Sequence, residues 1–267
     1  MKPVKLFLLA AALGISVLAT PAMSDTWSLF GGRGERGSGD IVTEKREVTE
    51  FEQIRLDCSA NLVISIDSVF RVSVTTDDNL QDNIITEVIS RKTLLIDSEG
   101  NFNTHRGVLV EITTPRLVQV EVNGSGDVEI SGLKEETFEI ALDGSGDIEF
   151  EGEVGQLDIT LDGSGQITSQ ELSAKDVKIE LGGSGDIELR GKAQTLECTL
   201  SGSGNIDARR FETERVDAET QGSGDISVYA TKHFDGAVYG SGDIDVYGNP
   251  ENLKRNTPGS GEIHRRR

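Results

Sequence analysis

"EIALDGSGDIEF", Glu139–Phe150, places an apolar side chain at every second position on both sides of a Gly-Ser-Gly triplet. Close copies recur at Gly183–Leu189 ("GSGDIEL") and Gly222–Val228 ("GSGDISV"). The triplet starts at residues 37, 124, 144, 163, 183, 202, 222, 240 and 259, and the last eight are tandem, at spacings of 20, 19, 20, 19, 20, 18 and 19. A period this constant is the mark of a repeat architecture.

Aligned on the first glycine, the units carry apolar residues at −6, −4 and −2, as in Phe138-Ile140-Leu142 and Val177-Ile179-Leu181. They carry them again at +4 and +6, as in Val128-Ile130 and Ile187-Leu189. Period two means strands with one buried face. A third apolar residue often follows: Leu133, Val154, Leu172 and Phe211. One unit of about 20 residues cannot enclose a core, but stacked units can. The predicted fold is all-β: a single-stranded right-handed parallel β-helix with about 19–20 residues per coil, rising ~4.8 Å per coil.

Two glycines per coil are costly in a strand. They make sense where a corner needs positive φ or a backbone approach that a Cβ forbids. That structural role falls to Gly124, Gly126, Gly144, Gly146, Gly163, Gly165, Gly183, Gly185, Gly202, Gly204, Gly222, Gly224, Gly240 and Gly242. A phosphate-cradling loop would lead into a helix N-terminus; here a strand follows each time.

Around this array the chain divides into five stretches. Residues 1–24 read as a signal peptide, with Lys2 and Lys5, the apolar run Leu6–Ala19 and the small-residue site Ala22-Met23-Ser24. Residues 25–40 read as a flexible Gly-rich linker, and 41–117 as irregular N-terminal β coils continuous with the stack, with a separate small β domain as the alternative. In that segment Asp77-Asp78-Asn79-Leu80 suggests a short helical turn with an Asp cap. Residues 118–262 form the regular repeat, and 263–267 a basic tail. Leu253, Arg255 and Thr257 replace the apolar triplet in the last unit, as a polar end to the stack would require. Val216-Ala218-Thr220 and Phe234-Gly236-Val238 show the core shrinking toward it.

The net charge is −20, or −22 once Lys2 and Lys5 are removed. Such a chain repels nucleic acid. No run after the signal is long and apolar enough to cross a membrane. Cys58 and Cys198 lie about seven coils apart along the repeat, over ~30 Å at ~4.8 Å per coil, and are expected to be free thiols.

Acidic residues crowd the outer positions of the repeat. At +3 stand Asp127, Asp147, Gln166, Asp186, Asn205, Asp225, Asp243 and Glu262, and at +5 Glu129 and Glu149 among others. Two readings stay open. The column is a solvated acidic face, or Asp127, Glu129, Asp147 and Glu149 hold a cation, with Ca²⁺ the candidate. No other cofactor is implied. His105, His233 and His264 are far apart in sequence, aromatics are 5%, and the sequence carries no nucleophile-elbow or metal-triad motif. Tyr229, Tyr239 and Tyr247 are the candidates for an aromatic sugar contact.

The segments "REVTEFEQIRLDCSANLVISI" (Arg46–Ile66), "DDNLQDNIITEV" (Asp77–Val88), "TLLID" (Thr93–Asp97) and "VEITTPRLVQVEVNGSGDVEI" (Val110–Ile130), with the later Gly-Ser-Gly-Asp units, resemble the head GIN domain family of auto-transporter adhesins. The likeness runs over about residues 37–262. It implies an exported β-helical surface or periplasmic protein without known catalysis. No translocator barrel follows the repeats, which makes the periplasm the leading address and the cell surface the second. The expected function is an adhesin or cell-envelope scaffold whose partner is an envelope or surface protein or a glycan. A cation- or glycan-binding module is second, and a carbohydrate-active enzyme third.

Overall fold

Every second side chain of the repeat turns inward in the computed structural model, which describes residues 34–266. The expected signal peptide, 1–24, lies outside the described residues, as does most of the expected linker.

The N-terminal strands are β1 (Glu35–Arg36), β2 (Ile41–Lys45), β3 (Gln53–Leu56), β4 (Asn61–Ile66), β5 (Arg71–Asp77), β6 (Ile84–Ile89), β7 (Thr93–Ser98), β8 (Phe102–Asn103) and β9 (Leu109–Thr114). The repeat supplies β10 (Gln119–Val122), β11 (Val128–Leu142), β12 (Ile148–Leu161), β13 (Gln166–Leu181), β14 (Asp186–Leu200), β15 (Ile206–Thr220) and β16 (Ile226–Val238). The stack ends with β17 (Ile244–Gly248), β18 (Asn252–Asn256) and β19 (Ile263–Arg265). From β10 to β19 all pairings are parallel and in chain order. The molecule is a parallel β-solenoid, as the repeat predicts.

Within β11 the in-out alternation breaks at Ser131-Gly132 and again at Glu135–Thr137. With the Gly-Ser-Gly corner, each coil therefore turns three times and closes around an apolar interior. Equivalent residues stack rung on rung. The +4 column is Val128, Ile148, Ile167, Ile187, Ile206, Ile226, Ile244 and Ile263, all buried. The −4 column runs Ile54, Val120, Ile140, Ile159, Ile179, Cys198, Ala218 and Gly236. The core does not simply shrink toward the C-terminal end. The Phe234 ring takes the room that Ala218 and Gly236 leave, and a Cβ on Gly236 would stand 2.5 Å from its Cζ.

The N-terminal segment departs from expectation in its order. β3 and β4 form a rung that pairs upward with β10 and β11 and downward with β7 and β9. The chain thus lays the second rung first, descends to make the rung below, then climbs past both. Beneath, β5 and β6 run antiparallel to β9 and β7, and β2 antiparallel to β5. This re-entry corrects the Cys58–Cys198 separation. The Cys58 carbonyl lies directly under Gly124, so Cys198 stands five rungs up, not seven, about 24 Å at ~4.8 Å per rung. Both cysteines are free, and burial raises the pKa of each thiol.

Two boundaries also move. The end of the expected linker belongs to the fold: β1 pairs with β8, and Ser38 and Gly39 donate their N–H groups to Asn79 Oδ1 and Asp77 Oδ1. Part of the expected basic tail completes the last rung, since β19 pairs with β17 and Arg266 Nε lies 2.9 Å from Asp245 Oδ1. The short helix exists as a 3-10 turn, Asp78–Asn83, but Asp77 does not cap it. Its fully buried carboxylate instead accepts from Gly39 N–H at 2.7 Å, His105 N–H at 2.9 Å and His105 Nδ1 at 3.0 Å. Asp77 ties two loops to the foot of the stack.

Two predictions follow from buried polar groups. Thr220 is fully buried in the −2 column and its hydroxyl has no partner. Thr220→Val keeps the shape and removes the desolvated hydroxyl, so it should raise stability by about 1 kcal/mol, read as a higher thermal midpoint. The His105 backbone N–H, chiefly, holds the Asp77 carboxyl below its ordinary 3.8. The native value is the lower one, so the Asp77 contribution is complete above about pH 4 and is lost as pH falls through the native value. The stability gap between wild type and Asp77→Asn should be full at neutral pH and close in acid, measured by denaturant unfolding across pH.

Candidate functional site

The Gly-Ser-Gly corner explains both its glycines and its Asp. The fourteen glycines have no need of positive φ; what they meet is the rung below. A Cβ on Gly144 would collide with the Gly124 carbonyl oxygen, one on Gly163 with Gly144, and one on Gly146 with Gly126. Gly124 and Gly126 stand in the same way over Cys58 and Ala60. Close backbone approach, repeated at every rung, excludes any side chain there.

The residue at +3 lends a side-chain oxygen to the backbone of the next rung. Asp147 N–H donates to Asp127 Oδ1 at 3.1 Å, and Gln166 N–H to Asp147 Oδ1 at 2.9 Å. The ladder resumes with Asn205 on Asp186 (2.9 Å), Asp225 on Asn205 (3.1 Å), Asp243 on Asp225 (2.8 Å) and Glu262 on Asp243 (2.7 Å). Asn61 starts it by accepting from Asp127 N–H at 3.1 Å. Each short side chain lends an oxygen to an amide of the next rung. Of the four carboxylates expected to gather a cation, Asp127 and Asp147 thus each commit one oxygen to the backbone.

The second corner carries a groove that the alternation alone does not reveal. Leu133, Gly152, Leu172, Gly191 and Phe211 are register partners, so a side chain is missing at every other rung. Val154 belongs to a different column, with Glu135 and Ala174. Gly132, Gly152 and Gly191 have φ of 77°, 144° and 132°, and Cβ atoms on the latter two would strike Leu133 and Leu172 carbonyls. Gly132, Gly152, Leu172 and Gly191 line a surface groove of about 640 Å³ at this corner, much of its floor glycine backbone. Glu151, Glu153, Glu171 and Glu212 rim it, with Lys192 as the one cation. Its volume falls within the usual range for ligand sites, roughly 300–1,000 Å³. The signal was present in the sequence as glycines alternating with leucines, but only the register aligns them.

The remaining candidates scatter. Tyr229 and Tyr247 are register partners, whereas Tyr239, 52% exposed, sits beside the Gly-Ser-Gly corner on another side. His105 belongs to the Asp77 cluster and His264 to the last rung, 3.7 Å from Asp243 and 3.8 Å from Glu262. His233 lies on β16 with Asp235. Among the described residues no helix is long and apolar enough to cross a membrane.

The family model described as "Putative auto-transporter adhesin, head GIN domain" matches residues 50–170 and 151–250. Among solved structures, the chain is similar to a "Putative lipid binding protein" from Parabacteroides distasonis ATCC 8503, with 28% identity and a TM-score of 0.80, covering 87% of this chain and 99% of that one. It is similar also to a "putative adhesin" from Bacteroides fragilis NCTC 9343, at 25% identity and TM-score 0.66, covering 87% and 100%. A "putative adhesin" from Parabacteroides merdae ATCC 43184 shares the fold at 21% identity and TM-score 0.81, covering 87% and 98%. No curated protein matches the sequence.

The Asp ladder can be tested by what it accepts rather than by its charge. Asp147→Ala strips the Gln166 amide of its acceptor and should lower stability by about 1 kcal/mol. Asp147→Asn keeps an oxygen, as Asn205 does, and should stay within about 0.5 kcal/mol of wild type. Denaturant unfolding of the two variants separates the readings; equal losses would point to charge.

Proposed function

This chain belongs to the head GIN domain family of auto-transporter adhesins, and on that premise we propose that it is an exported, non-enzymatic interaction scaffold of the cell envelope, binding through its second-corner groove. The periplasm is the leading compartment and the cell surface the second. The observation that carries the reading is the groove itself: a floor of backbone across several rungs, with four carboxylates and one ammonium at its edge. A floor that is rung-stacked backbone is rigid, so binding orders little that is not ordered already. Carboxylates accept hydrogen bonds from sugar hydroxyls and pair with cationic side chains. The groove therefore suits a neutral or amino-bearing glycan, or a basic loop of an envelope protein, and disfavours polyanions.

Lys192 among carboxylates supports a second reading, since polysaccharide-cleaving sites also group acids with a base. Both readings meet in one experiment. Immobilised protein should retain envelope vesicles, and the charge reversal Glu151→Lys, Glu171→Lys, Glu212→Lys should reduce retention by about tenfold or more, with binding that weakens as salt rises. Unchanged retention by the variant would remove the groove from the account. Release of shortened polysaccharide by wild type, but not by Lys192→Ala, would establish the enzymatic reading instead.

A further inference from the structure

Toward the C-terminal end, the outer face of the first run, the stretch of each coil that leads into the Gly-Ser-Gly corner, gathers three ligating side chains. His233 and Asp235 are two apart on β16 and so project from the same face. Parallel register sets Asp217 of β15 directly against Asp235. One ligating atom from each of Asp217, His233 and Asp235 lies within 4.8 Å of the others. Among the described residues this is the one such group of three. Asp217 is exposed and the other two are half-buried.

We propose that Asp217, His233 and Asp235 bind a divalent transition-metal ion of the zinc class. The argument rests on the imidazole as much as on the acids. Elsewhere along this face the −7 column holds Thr137, Gln156, Asp176, Thr195, Arg215 and Asn252, and His233 is its one imidazole. It stands where the −5 column brings three carboxylates together in consecutive rungs, Glu197, Asp217 and Asp235. Lower in that column Lys178 separates Asp158 from Glu197 and dilutes the repulsion. Here no cation intervenes until Lys254, whose Nζ lies 3.0 Å from Asp235 Oδ2. One imidazole nitrogen with carboxylate oxygens suits zinc and its neighbours, whereas calcium prefers a set made of oxygens alone.

The site is open on one side. A surface depression of about 370 Å³ borders it, with Glu197 and Glu219 on its wall beside Asp217 and Asp235. Three protein ligands would leave a coordination position for water or for a group from a partner. Two basic residues oppose the ion. Lys254 occupies an oxygen of Asp235, and Arg215 is the register neighbour of His233. Lys254 is thus the resident countercharge that a metal must displace or work around, and its removal should favour the metal.

Zn²⁺ titrated calorimetrically into the chelator-treated protein should bind at one ion per chain, with Ca²⁺ giving no heat. His233→Asn should weaken Zn²⁺ binding by at least about tenfold, and Lys254→Ala should strengthen it. His264→Asn, which alters the other imidazole near carboxylates, should leave it unchanged. X-ray absorption at the zinc edge should show one nitrogen ligand with oxygen donors, independently of any variant. Absence of Zn²⁺ binding, full retention by His233→Asn, or loss in His264→Asn in its place would overturn the assignment.

Discussion

Between neighbouring rungs at the Gly-Ser-Gly corner, the carbonyl oxygen of one glycine fills the space a Cβ on the next would need. That contact sets the rest of the architecture. A sheet held at ~4.8 Å spacing can turn a corner only if the turning residues stay as close as the strands do. Glycine permits this, and its entropic cost on folding is offset by the hydrogen bonds the close approach preserves, such as Ser164 N–H to the Gly144 carbonyl at 3.0 Å. Just after the corner, the side chain at +3 supplies an acceptor to the amide of the next rung. Corner and ladder are two parts of one device for keeping amides satisfied while the chain changes direction.

The same constraint explains why the outer surface divides into flanks of different character. At the first corner the backbone approaches so closely that the two glycine positions carry no side chain, and the Ser, the +3 residues and the residue before the triplet project instead. At the second, glycine alternates with leucine from rung to rung, and a recess opens. On the outer face of the first run, full side chains stand in register, and like charges or ligands meet whenever two rungs carry them. Asp217 above Glu197 and beneath Asp235 is such a meeting. Binding capacity in this fold is a matter of which outward positions coincide, and the interior is indifferent to them.

Much of this was legible in the sequence. The tandem triplets and period-two apolar residues define the parallel stack and nearly every inward position from Val120 to Val246. What could not be read depends on contacts between segments distant in the chain. Rung order at the N-terminal end is one case: nothing local in Ile54-Leu56 or Leu62-Ile64 says that they stack beneath Val120 and Val128 and above the later Leu94 and Val110. Asp77 is another. Its position before a helical turn suggests a cap, yet His105 and Gly39, 28 and 38 residues away, claim its carboxylate. The +3 Asp was visible as a column of charge, but its bond to the next amide requires the rung spacing. Likewise Val154 looks equivalent to Leu133 as the third apolar residue of its unit, but irregular steps in the ladder put Gly152 in that place.

The re-entrant start of the stack bears on how such a chain can lengthen. Above β10 each coil forms its ladder only with the one before and the one after, so a whole unit could be copied or lost in the gene and the neighbours would still find matching partners. Below it, β3 and β4 are clasped between segments that come later in the chain, and no unit there can be excised without separating its neighbours. A change of length in whole steps is therefore compatible with the upper part of the stack and incompatible with its foundation.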